Sequence, residues 1–577
     1  MADGPPPTTR RRLLAGLGAT ASAAVAGCSE RLWSRAETSP PERVSLSIKT
    51  VPTDEDVVAA KISNQLIENL RAAGIEANPE PMAEDELYRE VLVDHEYDLF
   101  VARHPGFDEF DALRPLLHSK FVSERGWQNP FSFSNPTVDE HLEEQLTERG
   151  YDRLAAFSDL FEHLQDTAPY TAVTFPDHLC AANGLDTLST APRRPLEYIE
   201  LLSTPPADED RDEPLRVGVS GDGAFDRLNP IVVTRNDVRI ALGLLYDPLA
   251  RIVDGDLVPW LAETVDWSRR ESSLRATMTL REDARWHDGE PIDADDVAFT
   301  VRFLADTSLG NHEGGVPAPR FRGRGTLIDE VTVEDPRTVR YRFETTSPTV
   351  ARRALTIPLL PRHVWEPESE LVADYRTAAL ARANENPVGS GLFAFESRTD
   401  DGIALEPFDD HALLDGRSEL LAEFPAYDGL EFVVEPSAGT AVESLENGDL
   451  DLVGSPLPPG EFERLGDDVT PLSAPTRTFY VIGYNLRHPE LSNHRFRRIV
   501  SRLVDREYVA EEFSLGHARP AATHSAVVGV EPDTWEFPQS AGVATFPGSD
   551  GRVDVDLVRS LFEEAGYRYD DDGSLLV

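Results

Sequence analysis

The sequence predicts an α/β protein with mixed sheets, divided into two lobes that meet at a hinge. Three observations predict it. Short runs that alternate apolar and polar residues interleave with longer runs whose apolar residues recur at i, i+4, the periods of strand and helix. The 577 residues exceed what one hydrophobic core organises, since domains run about 100–200 residues. A Pro- and Asp-rich stretch over 204–214 carries no apolar periodicity, and a fresh strand-like run follows it.

Residues 1–28 read as an export address rather than as structure. Arg10, Arg11 and Arg12 precede an apolar run of Leu, Ala, Gly and Val that ends at Cys28. The run falls short of the roughly 18 apolar residues a spanning helix needs, and it fits the h-region of a signal peptide. Small residues directly before a cysteine resemble a lipobox, and the combination resembles a twin-arginine lipoprotein signal. The expectation is a Cys28 thiol that carries lipid, a flexible polar tether over 29–42, and a chain held at the outer face of the cytoplasmic membrane. No second long apolar run follows.

Beyond the tether the elements follow in order. A strand is predicted over 44–48. A helix over 55–73 places Val58, Ile62, Leu66 and Leu70 on one face and ends at Gly74. A strand over 97–101, helices over 138–148 and 151–166, and a strand over 171–175 complete the leading block. After the break come a strand over 215–219, a helix over 237–245, and strands over 274–280 and 331–343. A strand over 430–434 and a helix carrying Ala441, Leu445 and Leu450 follow. The last helix spans 555–565, with Gly566 as its cap.

Charge narrows the function. The chain has 103 acidic residues against 55 basic ones, a net charge of −48. Such a field repels nucleic acid, whose binding needs Lys and Arg to displace counterions, and it repels anionic lipid headgroups. Lysine is confined to Lys49, Lys61 and Lys120. A shell rich in acid and poor in lysine resembles proteins of high-salt cells, where the Debye length falls to about 3 Å at 1 M and self-repulsion is screened. The two cysteines, Cys28 and Cys180, show no metal spacing and build no disulfide framework. Cys180 reads as a small buried hydrophobe.

The region from 215 onward carries a dense set of motifs. They begin with Phe225 to Pro230 (FDRLNP), Leu245 to Leu249 (LYDPL) and Pro259 to Glu263 (PWLAE). The most specific is Leu280 to Pro291 (LREDARWHDGEP), followed by Ala294 to Phe299. Leu445 to Asp451 (LENGDLD) and Leu561 to Tyr567 (LFEEAGY) come later. These residues resemble the family 5 extracellular solute-binding proteins, the oligopeptide, dipeptide and nickel class of importer receptors. The resemblance implies a periplasmic-binding-protein-like fold of type II, a clam whose lobes close on a ligand. It also implies an unusual order. The elements expected to follow LFEEAGY stand at the other end of the chain: Leu46 to Thr50, the helix ending at Ala73–Ile75, and Tyr97 to Phe100. The expected arrangement is therefore circularly permuted. Residues 43–168 and 431–577 form the second lobe, 215–430 the first lobe, and 169–203 its closing segment. The stretch 204–214 is the joint, the hinge lies near 430–435 and 168–175, and Val577 lies close to Arg43.

In the family the ligand, a peptide or another small solute, sits in the cleft, and ABC permease subunits in the membrane receive it. The chain is expected to act as a monomer with no cofactor. A cleft of this kind needs aromatics and a few convergent polar groups. The candidates are Phe225, Asn229 and Tyr246 on the first lobe and Tyr484 and Asn485 on the second. Peptide-binding relatives place an acid for the ligand ammonium in a segment that reads here as residues 103–111. Asp108 or Asp111 is the nearest acid, in a displaced position. Trp286, His287, Asp288 and Gly289 read as turn and core. Catalysis finds no support: Gly218 to Gly223 misses the spacing of a nucleophile elbow, and no HExxH occurs. The alternatives that stay open are a surface solute sensor without transport, a nickel or metal-chelate receptor, and a hydrolase.

The acidic shell generates a first prediction. Moving the protein from 2 M KCl into dilute buffer should lower its melting temperature, followed by circular dichroism. An unchanged temperature would remove the high-salt reading.

Overall fold

The computed structural model describes residues 42–577 except 108, 109, 123, 149, 186, 206–212, 222, 271, 272, 400, 415–418 and 529–541. Arg10, Arg11, Arg12, Cys28, Asp108 and most of the 204–214 joint lie outside the described residues.

The leading block builds one sheet and the helices that cover it. Strand β1 (Ser45–Thr50) leads into helix α1 (Val57–Ala72) and strand β2 (Glu76–Pro81). Asp56 caps α1, its carboxylate accepting from the amides of Val58 and Ala59. Val58, Ile62, Leu66 and Leu70 are buried as their spacing requires, each worth roughly 1.5–3 kcal/mol of transfer free energy. Gly74 ends the helix at φ 83°, and a Cβ there would collide with the Gly573 carbonyl. Strand β3 (Leu99–His104), helices α2 (Pro136–Thr147) and α3 (Gly150–Thr167) and strand β4 (Tyr170–Ala172) follow.

The chain then crosses into the first lobe through β5 (Thr174–Ala182). That lobe contains β6 (Leu215–Ser220), α4 (Asn236–Leu245), and an antiparallel sheet of β7 (Ala262–Arg270), β8 (Ser273–Leu280), β9 (Ile328–Asp335) and β10 (Thr338–Phe343). Helix α5 (Ala294–Ala305) packs on that sheet. The predicted strand over 331–343 is thus a hairpin, turned at Pro336 and Arg337, where the alternation runs on through the turn. Strands β11 (Phe393–Thr399), β12 (Gly402–Pro407) and β13 (Leu430–Glu435), helix α6 (Ala438–Glu446) and strands β14 (Leu452–Val453) and β15 (Thr470–Pro475) complete the lobe. Leu450 lies beyond the end of α6 but is buried. Strand β16 (Phe479–Tyr484), strand β17 (Ala518–Pro520) and helix α7 (Val555–Glu564) close the chain.

The two main sheets share one plan. In the second lobe the order is β2-β1-β3-β16-β4; in the first it is β11-β12-β13-β6-β14-β5-β15, with β17 added against β5. In each, two strands lie parallel to the central one, and an antiparallel strand arriving from the other lobe is inserted next. The strand that departs for the other lobe, β4 or β15, flanks the inserted one. The α/β architecture with mixed sheets and two lobes is therefore as the sequence predicts.

One core gathers residues 44–175 with 479–575, so the leading block is not a free-standing unit. Ile48, Leu66 and Phe100 pack with Ile482, Phe496 and Phe562. Residues at both ends of the described chain are paired: Arg43 bridges Leu576, and the Val577 amide donates to the Glu42 carbonyl at 3.0 Å. Arg43 also meets Asp570 at 2.7 Å and Asp572 at 2.8 Å.

One expected boundary is wrong. The first lobe does not end at 430, because β13 lies parallel to β6 inside its sheet, and α6, β14 and β15 stay with it. A parallel pair needs a crossover helix on the same sheet, which carries the chain past 446 before it can leave. The crossings are β4 to β5, at Val173, and β15 to β16, over 475–479. They are tied together: the Val173 amide donates to the Tyr480 carbonyl at 2.8 Å, and the Thr476 hydroxyl donates to the Pro176 carbonyl at 2.6 Å.

The antiparallel pairing of 42–44 with 575–577 makes a second prediction. Joining Val577 to Glu42 through an Asn-Gly turn, and opening the chain within 206–212, should give a protein with the same melting temperature, because a two-residue turn fits such a pair. A rearranged chain that aggregates or melts much lower would contradict the shared core.

Candidate functional site

Polar groups gather where the two lobes face one another. On the second lobe, Arg103 at the end of β3 donates to Asp56 at 2.8 Å and to the Tyr480 hydroxyl at 2.7 Å. That hydroxyl donates in turn to Asp56 at 3.0 Å. Arg103 also lies over the Tyr480 ring, 5.2 Å from its centroid. Glu84 stands beside this group and accepts from the Tyr88 hydroxyl at 3.0 Å. Across the cleft, the Arg235 Nε lies 3.7 Å from Glu84, an ion pair between lobes.

The first-lobe wall is built by the end of β6 and the start of α4. Arg235 donates to the Ser220 carbonyl at 2.7 Å. Gly221, at φ 107°, leaves room for the guanidinium, which a Cβ would approach to 2.9 Å. Asp237, in the first turn of α4, accepts from the Ser455 hydroxyl at 3.0 Å through one oxygen. Its other oxygen is buried and has no protein partner. The same holds for Arg103 Nε, His104 Nε2, His178 Nε2, the Tyr198 hydroxyl and the Ser220 hydroxyl. Buried polar groups are nearly always satisfied. Six such groups lie on the two lobes around the Glu84–Arg235 contact.

The electrostatics couple the lobes. Burial raises the Glu84 carboxyl above its ordinary value, against the pull of Arg235. Burial does the same to Asp237, opposed by Arg235 and by Arg103 from the other lobe. Burial, with Arg103 and Arg193, lowers the His178 imidazole to about 4.

The cleft is shut in this structure. Between the lobes, Arg353 on the first pairs with Asp111 on the second at 2.8 Å, both buried. Arg322 holds Glu124 with two hydrogen bonds of 2.6 and 2.8 Å. The Thr345 hydroxyl donates to the Leu146 carbonyl at 2.6 Å. Asp111 is thus a latch residue, held also by Gln145, and not a free acid for a ligand.

The other expected site residues are structural. Phe225 packs against Phe432 in the first-lobe core. Asn229 donates to the carbonyls of Ala379 and Arg382 and accepts from the Ile231 amide. The Tyr246 hydroxyl accepts from Asn384. Tyr484 pairs with Thr171 inside the second-lobe core. Asn485 donates to the Tyr97 carbonyl and shapes the turn after β16. Motif polar groups that fix backbone turns and motif groups that meet solute look alike in sequence. Trp286 is fully buried, His287 bonds the backbone of Gly389 and Gly391, and Asp288 pairs with His363 at 2.7 Å. Burial raises the Cys180 thiol to about 12, so it stays protonated. The cleft residues gave one local signal. Arg235 and Arg239 flank Asp237 at the start of an apolar helix, in a chain short of cations.

A family model, "Bacterial extracellular solute-binding proteins, family 5 Middle", matches residues 256–576, more than half of the chain. The chain belongs to this family. Its relatives include the oligopeptide-binding protein AppA of Bacillus subtilis, 21% identical over 53% of this chain and 51% of that one. The peptidoglycan-binding protein YepA of Agrobacterium fabrum is 27% identical over 49% of this chain and 46% of that one. The chain spans about half the length of these curated relatives. The solved structure of Bacillus subtilis AppA with a nonapeptide is 18% identical, covers 63% of this chain and 68% of that one, and gives a TM-score of 0.44. NikZ from Campylobacter jejuni, in complex with Ni(L-His), is 19% identical over 63% of this chain and 65% of that one, with a TM-score of 0.42. Among the described residues of this family 5 chain, no three His, Cys, Asp or Glu side chains gather as a metal site. No described helix is long and apolar enough to cross a membrane.

The raised Asp237 carboxyl predicts a pH effect. The folded state holds that proton at pH values where the unfolded chain has lost it, so this group's contribution falls as pH rises from its ordinary 3.8 through its raised value. His178, lowered from 6.5 to about 4, works the other way: its contribution is lost as pH falls below 6.5. Comparing melting temperatures of wild type and Asp237→Asn from pH 4 to 7 in high salt separates them. The variant should gain stability relative to wild type as pH rises, and parallel curves would refute the assignment.

Proposed function

We propose that this chain is the solute receptor of an ABC-type importer, closing on a peptide or other small solute between its lobes and presenting it to membrane permease subunits. The observation that carries the reading is the orphaned polar cluster shared by both lobes, with Glu84 and Arg235 meeting across it. A solute that satisfies those groups binds the closed form only, and that difference in affinity is what shifts the lobes from open to closed. The named activities of the relatives, oligopeptide and peptidoglycan binding, agree with a solute of this size class. Nothing in the cleft calls for covalent chemistry.

Two further parts belong to the proposal. The order of the chain is a circular permutation of the family order, supported by the paired ends and by the core that 44–175 shares with 479–575. The rejoined protein described above tests it. The leader over 1–28 is a twin-arginine lipoprotein signal, and lipid on Cys28 anchors the receptor outside the cell. Cys28→Ser should release the protein from membranes into the medium, and continued membrane retention would count against it.

Closure itself is measurable. Replacing Asp111 by Asn leaves Arg353 without its buried carboxylate, and breaking such a pair costs about 3–5 kcal/mol. Small-angle scattering should then show a larger radius for the free variant and a return to the wild-type radius when solute is added. Identical curves with and without solute, for both proteins, would exclude a closing receptor.

A further inference from the structure

We propose that the lobes of this receptor part on one side only, and that solute enters through a groove between helix α1 and residues 458–464 while the opposite side stays fastened. This rests on the reading of the cleft as a solute site and adds the route by which it is reached.

The junction of the lobes has two sides because the main sheet of the first lobe has two faces. Alternate residues of β5 point opposite ways: Cys180 and Ala182 join one core, with α4 and Phe321, while Leu179 and Ala181 join another, with α6 and Phe462. Helix α5 ties the first of these faces to the antiparallel sheet β7–β10, with Phe303 in the one core and Val297 in the other. On this side the lobes are fastened. Leu146, near the end of α2 on the second lobe, is 2% exposed and sits in the core of the antiparallel sheet with Leu249 and Trp286. Its carbonyl accepts from the Thr345 hydroxyl at 2.6 Å and from the Thr346 amide at 3.1 Å. Its neighbour Gln145 donates to Asp111, which holds the buried Arg353. Pro115 packs on Gly323, where a Cβ would lie 3.2 Å from the Pro115 Cβ. Parting this side would put Leu146 into water and split a buried ion pair, which costs far more than separating an exposed one.

The other face carries the groove. A cavity of about 300 Å³ is lined from the second lobe by Val57 and Lys61 of α1 with Phe513 and Leu515, and from the first lobe by Pro459 and Arg464. Phe462 and Leu465, from the same stretch of the first lobe, pack on the core of that face. Both walls run out of the polar cluster. Asp56, which accepts from Arg103 and Tyr480, is the residue before Val57, and Ser455, which donates to Asp237, stands just ahead of Pro458. A groove so placed is a mouth to the cleft. The polar contact at its edge is exposed: His517 meets Glu463 at 2.8 Å, and such a pair separates at little cost. Leu515 is an independent sign. It is 47% exposed and held at φ 51°, a left-handed backbone that leucine rarely adopts. The fold keeps that strain where it sets an apolar side chain on the rim, and strain of this kind gathers at ligand clamps and switches.

The test reads access to the cleft with iodoacetamide, a small neutral alkylating agent, followed by mass spectrometry in high salt. Ser220→Cys in a Cys28→Ser background supplies the reporter thiol, since Cys180 is buried. Pro115→Cys/Gly323→Cys adds a disulfide across the fastened side, where the Cβ spacing is close to that of such a bond. Gly460→Trp fills the groove from its wall, and a Cβ at that position meets nothing within 4 Å, so the variant should melt with its parent. The reporter should be labelled at one rate whether the disulfide is formed or reduced, and at least 10-fold more slowly in Gly460→Trp. Gly460→Ala, which leaves the groove open, should be labelled as its parent is. A rate that drops when the disulfide forms, or that Gly460→Trp leaves unchanged, or that Gly460→Ala slows equally, would overturn the proposal. Native mass spectrometry of copurified solute separates this failure from failure of the cleft reading. A solute lost by Glu84→Ala/Arg235→Ala keeps the cleft even where labelling rejects the route, and a solute that this variant retains removes both.

Discussion

The structure depends on one constraint: residues 44–175 and residues 479–575 cannot bury their apolar faces except against each other. The β16 strand sits between β3 and β4, so the sheet of the second lobe is continuous only when both ends of the chain contribute. Helix α1 covers that sheet from the leading block, and α7 adds Val558 and Phe562 from the trailing one. The lobe is therefore a single cooperative object, made from chain segments more than 300 residues apart. The cleft inherits its geometry from that object, since Arg103 and Tyr480 are held together only by the pairing of β3 with β16.

Charge divides the molecule in a second way. The chain carries a net charge of −48, a self-repulsion that salt screens. At the lobe junction Arg103, Arg235, Arg322 and Arg353 are paired with Asp56, Glu84, Glu124 and Asp111. Arginine suits this work: its fork meets carboxylates in fixed geometry, as Arg322 meets Glu124 through two parallel bonds. The pairs Arg235–Glu84, Arg322–Glu124 and Arg353–Asp111 tie the lobes together.

Much of the fold was legible in advance. The apolar spacing of α1, the strand alternation of β1 and β8, the αβ unit around β6 and the caps at Gly74 and Gly566 all stand where the residues predict. The crossing near Val173 was legible, and the one over 475–479 was not: the sequence placed it near 430–435. A strand that starts a new pattern looks the same whether it stays in its sheet or leaves it. The site was the least legible part. Phe225, Asn229, Tyr246, Tyr484 and Asn485 belong to motifs that hold turns and core, and Asp111 is spent on Arg353.

Taken alone, the sequence determined which segments are strand and helix, that the chain has two lobes, and which family it resembles. Those properties are written in neighbours two to seven residues apart, at the periods of the pleat and the helix turn. Only the tertiary structure decided which polar groups meet, Glu84 with Arg235 and Arg103 with Tyr480, and that the charge of Arg239 acts on His104. Their separations along the chain run from about 130 to nearly 380 residues, and no local period carries such a pairing. It follows from how two sheets, each finished by a strand from the other lobe, turn their polar ends toward a common seam.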